Sequence, residues 1–252
     1  MRGKIGTIFV LCTLAFAGIG IGYGVWKDNV VIHGVVDSTS FKVGLRAVGT
    51  NDTDNWKDPV YNESSGKVEK QDYNVGSTSI SNSGTWKFSI GEKGYYSKLY
   101  IRMHHVYPNY APTIKFRVGV SQNSPPAKIA GFGANFTEKD SSGTVVAKGT
   151  ITVIGNDLNY QFEVEPDTNT IVYNLSTGMP NMDIVSYTIK YGGNVYTGDS
   201  LPGLMGDLSK ITIKPGTSAF ISITLRFTDI PQSHSLDGNL TAIFEQAQLP
   251  LR

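Results

Sequence analysis

From Phe41 onward the chain is a series of short runs in which apolar and polar residues alternate, or in which β-branched residues follow one another. Such runs are typical of β-strands. The predicted strands cover residues 41–48, 85–90, 98–106, 113–120, 144–154, 158–165, 170–175, 184–191, 211–215, 218–228 and 239–247. Clusters of Gly, Pro, Asn, Asp and Ser separate them and predict turns. No segment after Trp26 has a convincing 3.6-residue apolar period. The pattern therefore predicts an all-β, jelly-roll-like β-sandwich with long surface loops.

The strands form one predicted domain, residues 37–252, and no internal repeat divides them. A chain of this size can bury a substantial core as one all-β domain. Residues 49–84 are polar and rich in Asn, Asp, Ser and Gly. We expect this segment to be an insertion on the surface and not a second domain.

The first residues have the order of a secretory signal. Arg2 and Lys4 precede an uncharged apolar run at residues 7–17, and Gly22 and Gly24 are small residues just before the first charges that follow. Signal peptidases require small residues at positions −3 and −1 relative to the cleavage site, which Gly22 and Gly24 would occupy. Residues 1–24 are therefore the predicted signal peptide, with cleavage between Gly24 and Val25.

An uncleaved membrane anchor is the alternative, because residues 5–26 are long enough to span a bilayer. Four glycines at positions 18, 20, 22 and 24 weaken a helix there. A lipoprotein signal at Cys12 is disfavoured by the large Val10 and Leu11 before it. Cleavage after Gly24 leaves a chain without cysteine, so its stability depends on burial and not on disulfides.

Composition argues against two classes of partner. Charged residues make up 17% of the chain and the formal net charge is +1. Neither nucleic acid nor an anionic membrane surface is therefore favoured as a partner. The membrane enters only through the precursor's signal segment.

Candidate catalytic and metal-binding motifs are few. His104 and His105 are adjacent in a predicted strand, so their rings should point to opposite faces, and structural or solvated roles are favoured over a metal site. Glu163 and Glu165 share a strand face but lack the other ligands of a calcium site. The glycine-rich residues 131–136 lack a helix start and a basic residue, and predict a turn or bulge. We predict no enzyme activity, no metal and no cofactor.

Five Asn-x-Ser/Thr sequons are candidate glycosylation sites in a secreted chain: Asn51, Asn62, Asn135, Asn174 and Asn239.

The new N-terminus would be an apolar strand, residues 25–36, with side chains for both faces of a sheet. The predicted donor residues are Val25, Trp26, Val30, Val31, Ile32, Val35 and Val36. An exposed strand of this kind would aggregate, so it must lie in a sheet. That sheet is either its own or that of a second copy, and the residues alone leave both possibilities open.

Both ends of the mature chain resemble the TasA/camelysin-like secreted proteins. The start "VWKDNVVIHGVVDSTSFKVGL" is similar to their mature N-terminus, and "KPGTSAFISITLRFTD" with "LDGNLTAIFEQAQ" is similar to their closing pair of strands. The family includes biofilm matrix fibre subunits and archaeal bundling pili. The resemblance implies a jelly-roll-like domain that forms a cell-surface homopolymer, head to tail, by insertion of each N-terminal strand into the next subunit. Some members have been described as peptidases, but this chain has no zinc-ligand motif.

Two other classes stay open at this point. A type IV pilin or archaellin would be cut near Gly3 or Gly6 and keep its hydrophobic helix. A monomeric surface module, for example one that binds carbohydrate, would expose aromatic residues on a platform. The candidate platform residues are Trp56, Trp86, Tyr95, Tyr96, Tyr107 and Tyr110.

Overall fold

The structure is a computed structural model that describes residues 41–53, 57–71, 74–154, 157–164, 182–228, 230 and 233–247, with the backbone alone at 157–164. Contacts divide the chain into two units, Met1–Ser38 and Thr39–Arg252. All described residues belong to the second unit. The predicted signal peptide and donor strand, residues 1–36, lie outside the described residues.

The described part is mostly β, which confirms the predicted all-β class. Its strands are β1 (Val43–Thr50), β2 (Pro59–Asn62), β3 (Lys67–Lys70), β4 (Ser77–Ile90), β5 (Lys93–Val106), β6 (Thr113–Val120), β7 (Ala127–Lys139), β8 (Val145–Ile154), β9 (Asp157–Val164), β10 (Met182–Tyr191), β11 (Asn194–Gly198), β12 (Thr212–Ile213), β13 (Ser218–Phe227) and β14 (His234–Gln246). One helix, α1 (Leu201–Ser209), follows β11. No helix in the described ranges is both long enough and apolar enough to cross a membrane.

The main sheet is antiparallel and curls into two halves. We call β11-β10-β13-β6-β1 the β13 half, and β4-β5-β14-β7-β8-β9 the β14 half. The halves join where Leu45 of β1 pairs with Tyr96 of β5. The short β12 also pairs with β7. A separate hairpin, β2-β3, makes up the second sheet. The arrangement is sandwich-like, as the strand pattern predicted.

The core lies between the two halves because alternate residues of each strand point inward. In β13, Ala219, Ile221 and Ile223 are buried while the residues between them are half-buried. Across the core, the Phe116 and Phe132 rings meet edge to face with centroids 6.2 Å apart. Each fully buried aliphatic or aromatic side chain contributes about 1.5–3 kcal/mol. The core thus needs no disulfide among the described residues.

The structure differs from the predicted surface insertion in the second part of residues 49–84. Residues 77–83 pair with β5 as the first half of β4. Asp52 and Asp58 are fully buried. The sequence pattern did not predict this strand, because its serine and threonine side chains fit a pleated sheet but do not produce an apolar alternation.

The sequence pattern also missed α1. Ser200 caps the helix by accepting a hydrogen bond from the Gly203 amide, and Leu204, Met205 and Leu208 are buried beneath it. Proline and glycine are poor helix formers, and α1 contains Pro202, Gly203 and Gly206 in nine residues. The buried face and the cap hold the helix despite this composition. The predicted strand at 170–175 lies outside the described residues.

Candidate functional site

An apolar groove opens between the two halves of the sheet. It has a volume of about 160 Å³. The β14 half contributes Ile101, Met103, Phe132, Ala134, Phe136, Val153, Leu236 and Leu240, and the opposite wall contributes Ile114, Phe116, Met182, Ile184, Leu201, Leu204, Ile223 and Leu225. Its lining is almost entirely hydrocarbon. Such a groove is suited to aliphatic side chains and not to a polar substrate.

Strand register explains why the groove is open at its centre. Gly238 of β14 lies between Ile101 of β5 and Phe136 of β7. The glycine contributes no side chain to this inward row. A Cβ at position 238 would lie 2.8 Å from the Asn135 carbonyl oxygen, so the two strands approach each other too closely for any other residue there.

Among the described residues, the groove lies beside a strand edge that is paired along only part of its length. β10 pairs with β13 along most of its length, but it pairs with β11 only from Tyr187 to Tyr191. Its residues 183–186 have no second strand partner within the described part of the chain. Ile184 belongs to this free stretch and lines the groove. Backbone donors and acceptors at such an edge can pair with an added strand.

The opposite face of the β14 half is polar. A polar groove of about 690 Å³ crosses it, lined by Tyr100, Asn135, Phe136, Thr137, Lys148, Gly149, Thr150, Asp237, Gly238 and Asn239. Arg102 lies over the Tyr100 ring and its Nε donates to Asp237 at 3.1 Å. The Tyr100 hydroxyl and Asp237 together hold the pKa of Arg102 above its usual value.

Two predicted sequons meet in this polar groove. Asn135 of β7 and Asn239 of β14 are directly opposite each other in the register. The backbone N–H of Asn239 donates to Asn135 Oδ1 at 3.1 Å. Asn135 is exposed and Asn239 is half-buried.

The other sequons lie apart. Asn51 follows β1 and accepts a hydrogen bond from the Thr113 amide at 2.6 Å. Asn62 ends β2, where its Oδ1 accepts from the Ser64 amide and its Nδ2 donates to Glu69. Asn174 lies outside the described residues. Glycosylation at these sites stays a prediction.

The histidines are placed in β5, as expected, but simple alternation fails there. His105 has a φ of 50°, in the left-handed region, and the β5–β14 register shifts beside it. The two rings are 6.4 Å apart between centroids, tilted by 44°. His104 Nδ1 lies 3.3 Å from the Ser235 hydroxyl. Within the described ranges no group of three or more His, Cys, Asp or Glu side chains could hold a metal ion.

One carboxylate points into the core of the β14 half. Glu138 is buried and its Oε1 lies 2.8 Å from Nδ1 of His234, which is itself mostly buried. Register places Glu138 opposite Leu236, next to the apolar groove. The pair joins β7 to β14.

A buried polar cluster in the 49–84 segment was not predicted. Asp58 Oδ2 accepts from the Tyr107 hydroxyl at 2.8 Å and from the amides of Val75 and Gly76. Tyr110 donates to Asp52, so Thr78 must donate to Tyr110 across their 2.6 Å contact. Burial, reinforced by Asp52, raises the pKa of Tyr110. The cluster fixes this segment to the sheet by hydrogen bonds.

Three of the six predicted platform aromatics are buried. Tyr95, Tyr107 and Tyr110 are buried, and the Tyr95 ring stacks on Phe88 at 5.1 Å. Trp86 is exposed and lies opposite the half-buried Tyr96. Trp56 lies outside the described residues. Core packing accounts for the three buried tyrosines.

Glu163 and the glycine-rich run both lie in strands. Glu163 lies in β9, where register places it opposite Lys148 of β8. Glu165 lies outside the described residues. Residues 131–136 continue β7 without a turn, after a bulge between Ile129 and Gly131. The predicted bulge is therefore adjacent to the run, and the predicted turn is wrong.

Comparisons with known proteins do not identify a family. No family model matches the chain, and no curated protein matches it. The chain is similar in structure to the enzymatically active domain of bacteriophage CBA120 tailspike protein 4, at 12% identity and a TM-score of 0.17, over 82% of this chain and 20% of that one. An arabinose-bound α-L-arabinofuranosidase matches at 9% identity and a TM-score of 0.16, over 82% of this chain and 27% of that one.

A third solved structure is the CBM2 module of the evolved Dit of Lactobacillus casei BL23 phage J-1, at 10% identity and a TM-score of 0.15, over 82% of this chain and 99% of that one. The chain thus spans about a fifth of the tailspike domain and about a quarter of the arabinofuranosidase. Likenesses this weak carry no argument about function.

Proposed function

We propose that this chain is a structural subunit of an extracellular, cell-surface filament, such as a pilus or a biofilm matrix fibre. Its partner is a second copy of itself, whose residues 25–36 occupy the apolar groove. The observation that carries the proposal is the groove itself, because an open hydrocarbon-lined space between the sheet halves is suited to an added apolar strand. The resemblance of both chain ends to TasA/camelysin-like proteins supports the same function.

The size of the groove limits how much of the donor strand enters it. A dry apolar cavity of about 150 Å³ holds one benzene-sized molecule. The groove has about the same volume. It therefore accepts one or two aliphatic side chains, fewer than the seven apolar donor residues. Ile32, at the centre of the apolar stretch, is the anchor we assign to it.

The remaining donor residues add stability through the strand edge. Within the described residues, the backbone groups of residues 183–186 of β10 have a strand partner on one side only, and Ile184 of this stretch lines the groove. A donor strand that pairs there satisfies those groups and keeps its anchor side chain in the groove. Because donor and acceptor are different surfaces, the contact is head to tail and extends into a filament.

The proposal assigns the protein a structural role and no enzymatic one. Within the described residues, almost all of the accessible lining of the groove is hydrocarbon, and its one carboxylate residue, Asp237, is held by Arg102 on the opposite face of the sheet. Export follows from the predicted signal at residues 1–24. Lateral bundling of neighbouring filaments is compatible with the exposed polar face of the β14 half.

Deleting residues 25–36 from the exported chain tests the mechanism. We expect a folded, secreted monomer that forms no filaments by electron microscopy and shows a strand-rich circular dichroism spectrum. Ile32→Asp should reduce assembly strongly, because a charge would enter hydrocarbon. Val75→Asp is the matched control, since Val75 is exposed in the 49–84 segment. Native-like filaments from the deletion variant would show that the strand belongs to its own sheet.

Filling the groove tests the acceptor side. Ala134→Leu adds three carbon atoms to the groove wall, and Ser79→Leu adds comparable apolar bulk on the exposed outer side of β4. We expect Ala134→Leu to slow or abolish assembly while the monomer stays folded, and Ser79→Leu to assemble normally. Equal assembly rates by light scattering would contradict the groove as the acceptor.

A further inference from the structure

The polar groove brings two glycosylation sequons to one register position. Asn135 and Asn239 are separated by about a hundred residues in sequence, yet they are cross-strand neighbours on β7 and β14. Opposite residues on one face of an antiparallel pair have Cβ atoms about 4.5–5.5 Å apart. Both side chains lie in the lining of the same groove.

We propose that Asn135 is an N-glycosylation site and that a glycan there excludes a second glycan on Asn239. This inference rests on the proposed export of the chain, but not on its polymerisation. In the reaction, Asn135 Nδ2 forms a bond to the anomeric carbon of a lipid-phosphate-linked oligosaccharide. The bond from that carbon to the phosphate oxygen breaks, the lipid phosphate leaves with the electron pair, and the amide loses one proton.

Exposure and neighbours select Asn135. Asn135 is exposed and Asn239 is half-buried. Register places Asn239 between Tyr100 and Asn135, whereas Asn135 has the small Thr150 on its other side. Asn239 Oδ1 also lies 3.4 Å from the Ser83 hydroxyl. The side chain at 135 can therefore turn toward open space, and the side chain at 239 is enclosed on two sides.

Space in the groove limits the face to one glycan. A sugar ring with its hydroxyl groups is wider than the spacing of two opposite side chains, so two rings linked at 135 and 239 would overlap. The groove volume of about 690 Å³ is within the range of small-ligand sites. Thr150 and Lys148 line its β8 side and offer hydrogen bonds to sugar hydroxyl groups. One glycan at Asn135 fills this space.

Glycopeptide mapping of the full chain, secreted from a host that performs N-glycosylation, tests the proposal. In the wild type we expect a glycan on Asn135 and almost none on Asn239. Thr137→Ala removes the first sequon but keeps Asn135 and the hydrogen bond that it accepts from the backbone N–H of Asn239. Because no glycan can then form on Asn135, the glycan occupancy of Asn239 should rise several-fold. Thr241→Ser keeps the second sequon and should leave the wild-type distribution unchanged.

Three results would overturn the proposal. They are folded molecules with both glycans, a bare Asn239 in Thr137→Ala, and a bare Asn135 on chains modified at Asn62. Asn62 is the reference because it lies at the end of a surface hairpin. A secreted chain that is unmodified at every sequon would also overturn the proposal, whereas a chain that stays inside the cell would contradict the proposed export. Filament formation is not needed for any of these measurements.

Discussion

The inner and outer faces of the same three strands differ sharply in chemistry. On β5, β14 and β7, the inward row Ile101, Gly238 and Phe136 lines the apolar groove, and the adjacent outward row Tyr100, Asn239 and Asn135 lines the polar groove. The rows are one residue apart along each strand. Because side chains alternate with a period of two, one set of strands can present an apolar groove inside and a polar groove outside.

The largest expected difference between the two faces is in stability. Phe136→Ala removes a buried ring from the groove wall and should lower the free energy of unfolding by about 3–5 kcal/mol. Thr137→Ala, the next residue on the outer face, should change it by less than about 0.5 kcal/mol. Urea unfolding of both variants, followed by tyrosine fluorescence, measures the contrast. Equal losses of unfolding free energy in the two variants would mean that the buried Phe136 ring contributes no more to stability than the side chain of Thr137.

Glu138 breaks the simple division into an apolar inside and a polar outside. Its carboxylate is buried on the inward side and contacts His234. His234→Ala leaves that carboxylate without its partner, and should lower the free energy of unfolding by about 1–3 kcal/mol. Glu138→Gln keeps a hydrogen-bonding oxygen and should cost less. Chemical denaturation gives the free energy of unfolding of both variants. A smaller loss for Glu138→Gln than for His234→Ala would identify the unpaired carboxylate as the source of the loss, and the reverse order would contradict this.

The strands that could be predicted are those with strict alternation. β6 occupies the predicted residues 113–120, and β13 ends one residue before the predicted limit, because Ile, Phe and Val repeat at every second position. The first half of β4 was missed because its alternating residues are Ser, Asn and Thr. α1 was missed because its Pro and Gly hide a short buried face.

Neither groove could be found from the sequence. The apolar groove joins Ile101, Ile184 and Leu236, which are far apart in the chain and meet only through the curl of the sheet. The facing of Asn135 and Asn239 depends on the register of β7 and β14, and local patterns do not encode the pairing of such distant strands. The sequence did show the apolar segment 25–36 and the sequon motifs themselves, because both are local patterns.

The smallest predicted effect concerns the groove wall formed by α1. The Tyr187 hydroxyl of β10 donates to Asp207 of α1 at 2.8 Å, and Lys210 Nζ contacts the other Asp207 oxygen at 2.7 Å. Lys210 and then Tyr187 lower the pKa of Asp207. Burial, and then the bond to Asp207, raises the pKa of Tyr187 to about 12. The unfolded chain ionises tyrosine near pH 10.

Between about pH 10 and 12 the unfolded chain thus releases a proton that folded Tyr187 keeps, so the stability from this group is present below pH 10 and lost as the pH rises. Tyr187→Phe should be about 0.5–1.5 kcal/mol less stable at pH 7, through the lost hydrogen bond. The deficit should shrink as the pH rises from 10 to 12, since the variant has no such proton. Buried Tyr110 contributes equally to both proteins and cancels in the difference.

Asp207→Asn keeps an oxygen acceptor but removes the charge, so its loss of stability between pH 10 and 12 should be intermediate between those of the wild type and Tyr187→Phe. A constant deficit at every pH in urea unfolding would show that Tyr187 acts by packing alone and that no proton is held at the edge of the groove.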